Sequence, residues 1–144
     1  MKIADILDTK GRTVHTILPY ATVTDAVRRL EVLGIGALVV CDTEHRLVGI
    51  LSERDLIREL AQRGPELLTQ PISEVMTRKV ATARPADELT SAMARMTSGR
   101  YRHLPVLDGG RLVGMVSIGD LVKARLRDME LQTGVLRDAV IAAH

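Results

Sequence analysis

The segment Arg46-Leu47-Val48-Gly49-Ile50-Leu51-Ser52-Glu53-Arg54-Asp55-Leu56 returns as Arg111-Leu112-Val113-Gly114-Met115-Val116-Ser117-Ile118-Gly119-Asp120-Leu121, with seven of eleven positions identical. Duplication constrains the fold more than any local propensity, because one supersecondary unit must be built twice and packed against its copy. The match reaches upstream: Val14, Thr16, Pro19, Thr24, Ala26, Leu38, Val40 and Asp42 align with Val80, Thr82, Pro85, Thr90, Ala92, Leu104, Val106 and Asp108. The first copy then carries one extra residue in the turn before Arg46. Two homologous halves fill most of the chain.

Each half reads as β-α-β-β-α. In the first, a strand at Val14–Ile17 leads past Pro19 to a helix that opens on Thr22 and Asp25, spaced as a capping box, with Val23, Ala26, Val27, Leu30 and Leu33 at helical period. Gly34 suits its C-terminus. The apolar run Ala37–Cys41, the turn Asp42-Thr43-Glu44-His45 and the run Leu47–Leu51 form a hairpin, and Ser52 opens a second helix that extends to Arg63. The second half repeats this order: a strand at Val80–Thr82, a helix ended by Gly99, strands at His103–Leu107 and Leu112–Val116 about the turn Asp108-Gly109-Gly110, and a closing helix. Pro105 belongs at an edge or an unpaired position, since it cannot donate to a ladder. The end of the connector, Ile72-Ser73-Glu74-Val75-Met76-Thr77, mirrors Ile3-Ala4-Asp5-Ile6-Leu7-Asp8, so both halves have a short lead-in. The expected boundaries are a first unit at 8–63, linker and lead-in at 64–78, a second unit at 79–127 and a C-terminal helical extension at 128–144.

At 144 residues, with 46% hydrophobic and 26% charged, the chain can bury a real core of the ordinary globular kind. Its net charge is +2 and no run of Lys and Arg resembles a nucleic-acid arm. Tyr20 and Tyr101 are the only aromatics, which argues against a stacking platform for single strands. No apolar stretch approaches the roughly 20 residues that span a bilayer, and the N-terminus lacks the apolar region of a secretory signal. The expected location is cytoplasmic, with no membrane or nucleic-acid partner. Cys41 lies in an apolar run with no second cysteine, as a small hydrophobe does. His15, His45, His103 and His144 are scattered rather than set at metal-ligand spacing, and the glycines form neither a GxGxxG nor a Walker loop. Nothing in the sequence has the makings of a catalytic centre.

The last helix, from Ile118 to about Ala142, outruns its counterpart. Val122, Leu126, Met129, Thr133, Leu136 and Val140 succeed one another at alternating steps of four and three, a heptad seam, although Gly134 costs about 1 kcal/mol of helix propensity. Such a seam packs either on its own unit or on a second subunit.

The tetrads Ser52-Glu53-Arg54-Asp55 and Ser117-Ile118-Gly119-Asp120 stand where a strand gives way to a helix. A capping box accounts for both without any ligand. The functional alternative is that the helix N-terminus offers N–H groups to a phosphate or sugar edge while the Asp carboxylate accepts both hydroxyls of a ribose diol.

These tetrads, within the pattern Gly-x-hydrophobe-Ser-x-x-Asp, stand alongside the strand Arg102-His103-Leu104-Pro105-Val106 and the lead-in Val75-Met76-Thr77. Together they resemble the CBS-domain pair, or Bateman module, of the small stand-alone type, over about Met1–Arg127. The resemblance implies a pseudo-twofold module that binds an adenosine ligand (AMP, ADP, ATP, NAD(H) or, in some members, S-adenosylmethionine) in clefts between the halves, with no catalytic cofactor. It assigns Asp55 and Asp120 to the ribose and Ser52 and Ser117 to the hydroxyls before them. Thr16-Ile17-Leu18 and Lys79-Val80-Ala81 become the adenine-contacting segments, each facing the Asp of the other half. Phosphate ligands are implied at Arg102 and His103, with Arg100 and Tyr101 beside them, where the first half has Gly36 and Ala37. On that basis the Asp120 cleft is expected to be the better site, with Arg54 partly compensating in the other. The resemblance also implies a homodimer and an effector protein that reads the bound state. A different class remains open: an interaction module with vestigial clefts, in which the tetrads serve only as caps.

Overall fold

The cap expected at Thr22 is present in the computed structural model, which describes residues 1–143, with side chains described through Gly134. The Thr22 hydroxyl accepts the Asp25 N–H at 3.2 Å, and the Asp25 carboxylate accepts the Thr22 N–H at 3.0 Å. This box starts helix α2 (Val23–Leu33), which Gly34 closes in the left-handed conformation at φ 63°. Before it come helix α1 (Ile3–Lys10) and strand β1 (Thr16–Ile17); after it come β2 (Ala37–Cys41), β3 (Leu47–Ser52) and α3 (Glu53–Arg63). Two short 3-10 turns, Gly64–Thr69 and Ile72–Glu74, lead to α4 (Leu89–Gly99), β4 (His103–Asp108), β5 (Arg111–Ser117) and α5 (Ile118–Ala143).

The two hairpins carry the duplication into three dimensions. β2 pairs antiparallel with β3 and β4 with β5, and the register slips at the same place in each, between Val40 and Cys41 and between Val106 and Leu107. Their turns differ by the one extra residue. Gly109 and Gly110 both have positive φ, at 58° and 81°, as a two-residue primed turn demands. The longer first turn instead places a single residue, His45, at φ 63°.

The first strand is where the halves part. β1 pairs in parallel with β2, Thr16 opposite Val39, and the Val39 N–H donates to the His15 carbonyl at 3.2 Å. In the second half the residue aligned with Val39 is Pro105, which has no N–H to give Ala81. The strand expected at Val80–Thr82 therefore does not form, and only a single parallel bridge, Ala83 to Val106, survives. Pro105 lies in β4 opposite Met115, and β4 is an edge strand of its two-stranded sheet, so the missing donor faces the unpaired side as expected and its cost falls on Ala81.

Each lead-in closes the core of the opposite half. Ile3, Ile6 and Leu7 from α1 pack with Leu89, Leu104, Val116 and Leu121, whereas Ile72 and Val75 pack with Leu30, Leu38 and Leu51. The backbone agrees: the Ile3 N–H donates to the Asp87 carbonyl and the Ile72 N–H to the Ala21 carbonyl. The glycine shared by the repeated segments makes this seating feasible. A Cβ on Gly114 would lie 2.7 Å from Leu7 Cδ2, and one on Gly49 would lie 2.6 Å from Met76 Sδ. Only a residue without a side chain lets the lead-in approach the strand this closely.

Candidate functional site

Ser52 ends β3 and caps α3. Its hydroxyl accepts the Asp55 N–H at 3.2 Å while Asp55 Oδ2 accepts the Ser52 N–H at 3.0 Å. Ser117 and Asp120 repeat the arrangement at 3.2 and 2.8 Å. Both tetrads are thus capping boxes, which place one donor on Oδ2 of each acid and leave Oδ1 outside the cap. The two acids differ in which oxygen a basic side chain takes: Arg58 reaches Oδ1 of Asp55, whereas Lys10 reaches the capping oxygen Oδ2 of Asp120.

Beside Asp55 a cleft of about 370 Å³ opens between the halves, within the usual range for small-molecule sites. Gly36, Ser52, Arg54 and Asp55 contribute from the first half, and Arg100, Tyr101, Arg102 and His103 reach in from the second. The halves touch here: a Cβ on Gly36 would lie 3.6 Å from the His103 ring. Ile50, Glu53, Arg58 and Thr77 complete the walls. Arg58 donates to Asp55 Oδ1 at 2.9 Å, whereas Arg54, Arg100 and Arg102 make no ion pair among the described residues. Set against Glu53 and Asp55, four guanidiniums leave the cleft net positive. Burial, and next the Lys10 ammonium, push the His103 pKa below its ordinary value, so the ring is neutral at pH 7 and adds hydrogen-bonding capacity rather than charge.

Arg100 carries a second distinction. It caps α4 in the left-handed conformation at φ 57°, at the position where the first half has Gly34. Arg100 thus adopts, beside the cleft, a backbone conformation that the first half gives to a glycine and that L side chains disfavour.

Asp120 is differently placed. Lys10, the last residue of α1, donates from Nζ to Asp120 Oδ2 at 2.6 Å and to the Met115 carbonyl at 2.7 Å. Burial would raise the Asp120 pKa, but the hydrogen bond and charge of Lys10 and the Ser117 N–H outweigh it and hold the carboxyl below its usual range. The expectation that the second-half basic residues serve the Asp120 cleft is corrected for Arg100 and Arg102, while His103, paired with Ser117 and within the field of Asp120 and Lys10, borders both acids. Arg100, Arg102 and His103 line the Asp55 cleft, and a lysine that was not among the expected site residues covers Asp120.

The structure also places the remaining expected residues. Thr16, Ile17 and Leu18 do not reach the first tetrad, because the parallel register carries β1 toward the Cys41 end of β2, while Ser52 pairs with Ala37 at the other end, and toward the second half Thr16 lies beside Gly110, Arg111 and Leu112, at the far end of β5 from Ser117. They line a separate hollow of about 780 Å³ whose acids are already committed, Asp25 to the Thr22 cap and Asp42 to Arg46. Their true counterparts in the repeat are Thr82–Arg84, and Lys79, Val80 and Ala81 correspond to Thr13–His15. Lys79–Ala81 precede the Ala83 bridge and are not part of the cleft lining. Ala37 is buried at 1% exposure and supports the Gly36 wall from behind. Cys41 is a buried free thiol whose pKa is raised by burial. Among the described residues no group of His, Cys, Asp and Glu is arranged to hold a metal ion, and no helix is long and apolar enough to cross a membrane.

A duplicated half, crosswise lead-ins and a capped Asp at each strand-to-helix junction define a tandem CBS module, and the sequence matches the CBS domain family over residues 3–62 and 72–127. The chain belongs to that family. A crystal structure of a CBS-domain-containing protein from Agrobacterium tumefaciens superposes with a TM-score of 0.85 at 42% identity, covering 87% of this chain and 99% of that one. CBSX2, solved in complex with AMP, matches at TM-score 0.73 and 26% identity over 89% of this chain and 98% of its own. The CBS domain pair of protein MJ0100, solved with 5′-methylthioadenosine and S-adenosyl-L-methionine, matches at 0.77 and 27% over 90% and 98%.

Proposed function

We propose that this chain is a regulatory module that binds a phosphorylated adenosine compound in the Asp55 cleft and signals through the placement of its two halves. The observation that carries the reading is the convergence of Arg54, Arg58, Arg100 and Arg102 beside a capped carboxylate. Asp55 suits a ribose diol, and the guanidiniums suit phosphate, which they grip through paired N–H donors. Related CBS pairs solved with AMP or with S-adenosylmethionine support the adenosine class. The positive cleft favours AMP, ADP, ATP or NAD(H) over the sulfonium cation. Because Ser52 and Asp55 come from one half and Arg100–His103 from the other, a ligand bridging them binds one arrangement of the halves more tightly and shifts the population toward it.

Thermal melts with adenosine, AMP, ATP, NAD(H) and S-adenosylmethionine test this. A ligand at 100 times its Kd adds about 2.7 kcal/mol, at roughly 3 °C per kcal/mol for a chain of this size. Shifts are expected with the phosphorylated compounds, larger for ATP than AMP, and little with adenosine. No shift with any of them would favour an interaction module whose tetrads are caps alone, and turnover of ATP or NAD(H) would make it an enzyme.

Arg100→Gly gives a signature that no purely structural arginine would produce. Relieving the left-handed strain is expected to stabilise the fold by about 0.5–1 kcal/mol, while nucleotide affinity falls. A loss of both stability and affinity would remove Arg100 from the site.

Self-association is a second part of the reading. Val122, Leu126 and Met129 of the expected seam are exposed on α5, as are Ile57 and Leu60 on α3; Leu136 and Val140 lie outside the described side chains. Sedimentation equilibrium at two salt concentrations reads the oligomeric state directly.

A further inference from the structure

Resting on that reading, we infer that Lys10 acts as a built-in plug for the Asp120 cleft, so that the chain takes up one nucleotide rather than two, and that the plug is removable. The two clefts differ in the course of the chain after each lead-in. Thr77 pairs its backbone with Ile50, its N–H donating to the Ile50 carbonyl at 2.9 Å and its carbonyl accepting the Ile50 N–H at 3.0 Å. That bridge turns the second lead-in into an extended segment at the edge of the Asp55 cleft. The first lead-in stays helical through Lys10, because Gly11, Arg12 and Thr13 separate Lys10 from Val14, whereas Lys79 adjoins Val80.

The consequence is geometric. Met115 is the counterpart of Ile50, and its carbonyl accepts Lys10 Nζ rather than a backbone amide. Leu7, fully buried against Gly114, fixes α1, and Lys10 lies one turn further on the same face, over Asp120. Asp120 Oδ2 then accepts from both Lys10 Nζ and the Ser117 N–H. With two donors seated on Oδ2, Asp120 offers a ligand only Oδ1 and cannot take the two hydroxyls of a diol one on each oxygen, whereas Asp55 carries a single donor on each of its oxygens. Asp55 meets nothing comparable, since its partner Arg58 is an exposed residue of the same helix with no second anchor, free to turn to a phosphate.

Titration calorimetry with AMP on the full chain tests the plug. Wild type is expected to bind one AMP per chain; Asp55→Ala should abolish that binding and Asp120→Ala should leave it. Lys10→Met should raise the stoichiometry to two. The double variant Asp55→Ala/Lys10→Met should regain one site relative to Asp55→Ala, a gain that misfolding cannot produce. Two sites in wild type, or loss of the wild-type site in Asp120→Ala rather than Asp55→Ala, would overturn the plug while leaving nucleotide binding intact. A double variant that stays silent while wild type binds would also overturn it. Absence of AMP, ATP and NAD(H) binding in both wild type and Lys10→Met would sink the nucleotide reading itself, and the plug with it.

Discussion

Asp55→Ala is expected to weaken AMP binding by about 10- to 150-fold, the equivalent of the roughly 1.5–3 kcal/mol carried by hydrogen bonds to a charged group. The same substitution removes a capping partner, so stability should fall as well, by about 1 kcal/mol. The two effects are separable through Ser52→Ala. That variant also loses a cap contact, the Ser52 hydroxyl to the Asp55 N–H, but keeps the carboxylate. If Asp55 serves only as a cap, both variants lose stability alike and neither loses affinity. If it holds the ribose, affinity falls much further in Asp55→Ala than in Ser52→Ala. Salt adds a control, because the exposed arginines around the cleft act on a phosphate through a screened field. Raising ionic strength should erode the preference for ATP over adenosine more than it erodes the contribution of Asp55.

The duplicated segment made the architecture legible. Both hairpins, both Ser-x-x-Asp caps and the Gly34 terminus arise from residues whose spacing means the same thing in either copy. Legibility ended where the copies diverge in ways that only a partner strand reveals. Pro105 was recognisable as a residue without a donor, yet its consequence fell on Ala81, far away in sequence, and cancelled the strand expected at Val80–Thr82. The site shows the same division. Arg100, Arg102, His103, Ser52 and Asp55 were identifiable one by one, but assigning the basic residues to Asp120 assumed that each half serves its own acid. Packing the halves together carries Arg100–His103 across to Asp55. Arg58 could have been found from its place one turn after Asp55 on α3. Lys10 also had a signal: it stands three residues after Leu7, as Lys79 stands three after Met76. No pattern within one half could reveal that the first lead-in belongs to the second core.

That crosswise attachment predicts the largest change in stability. Leu7→Ala is expected to cost about 2–5 kcal/mol, the range for truncating a buried leucine to leave a cavity, even though the residue lies near the chain terminus, where substitutions are usually tolerated. Leu7 is 0% exposed and packs with the core of residues more than eighty positions away, including Leu89, Leu104 and Val116. The contact with Gly114 supplies a test that a generic terminal effect would fail. Gly114→Ala alone pushes a methyl group toward Leu7 and should cost about 1–3 kcal/mol by overpacking. In the Leu7→Ala background that crowding disappears, so the double variant should be more stable than the sum of the single losses predicts. Urea midpoints for the four proteins measure the coupling. Additive losses would mean that α1 does not rest on β5, and would also release Lys10 from the geometry that holds it over Asp120.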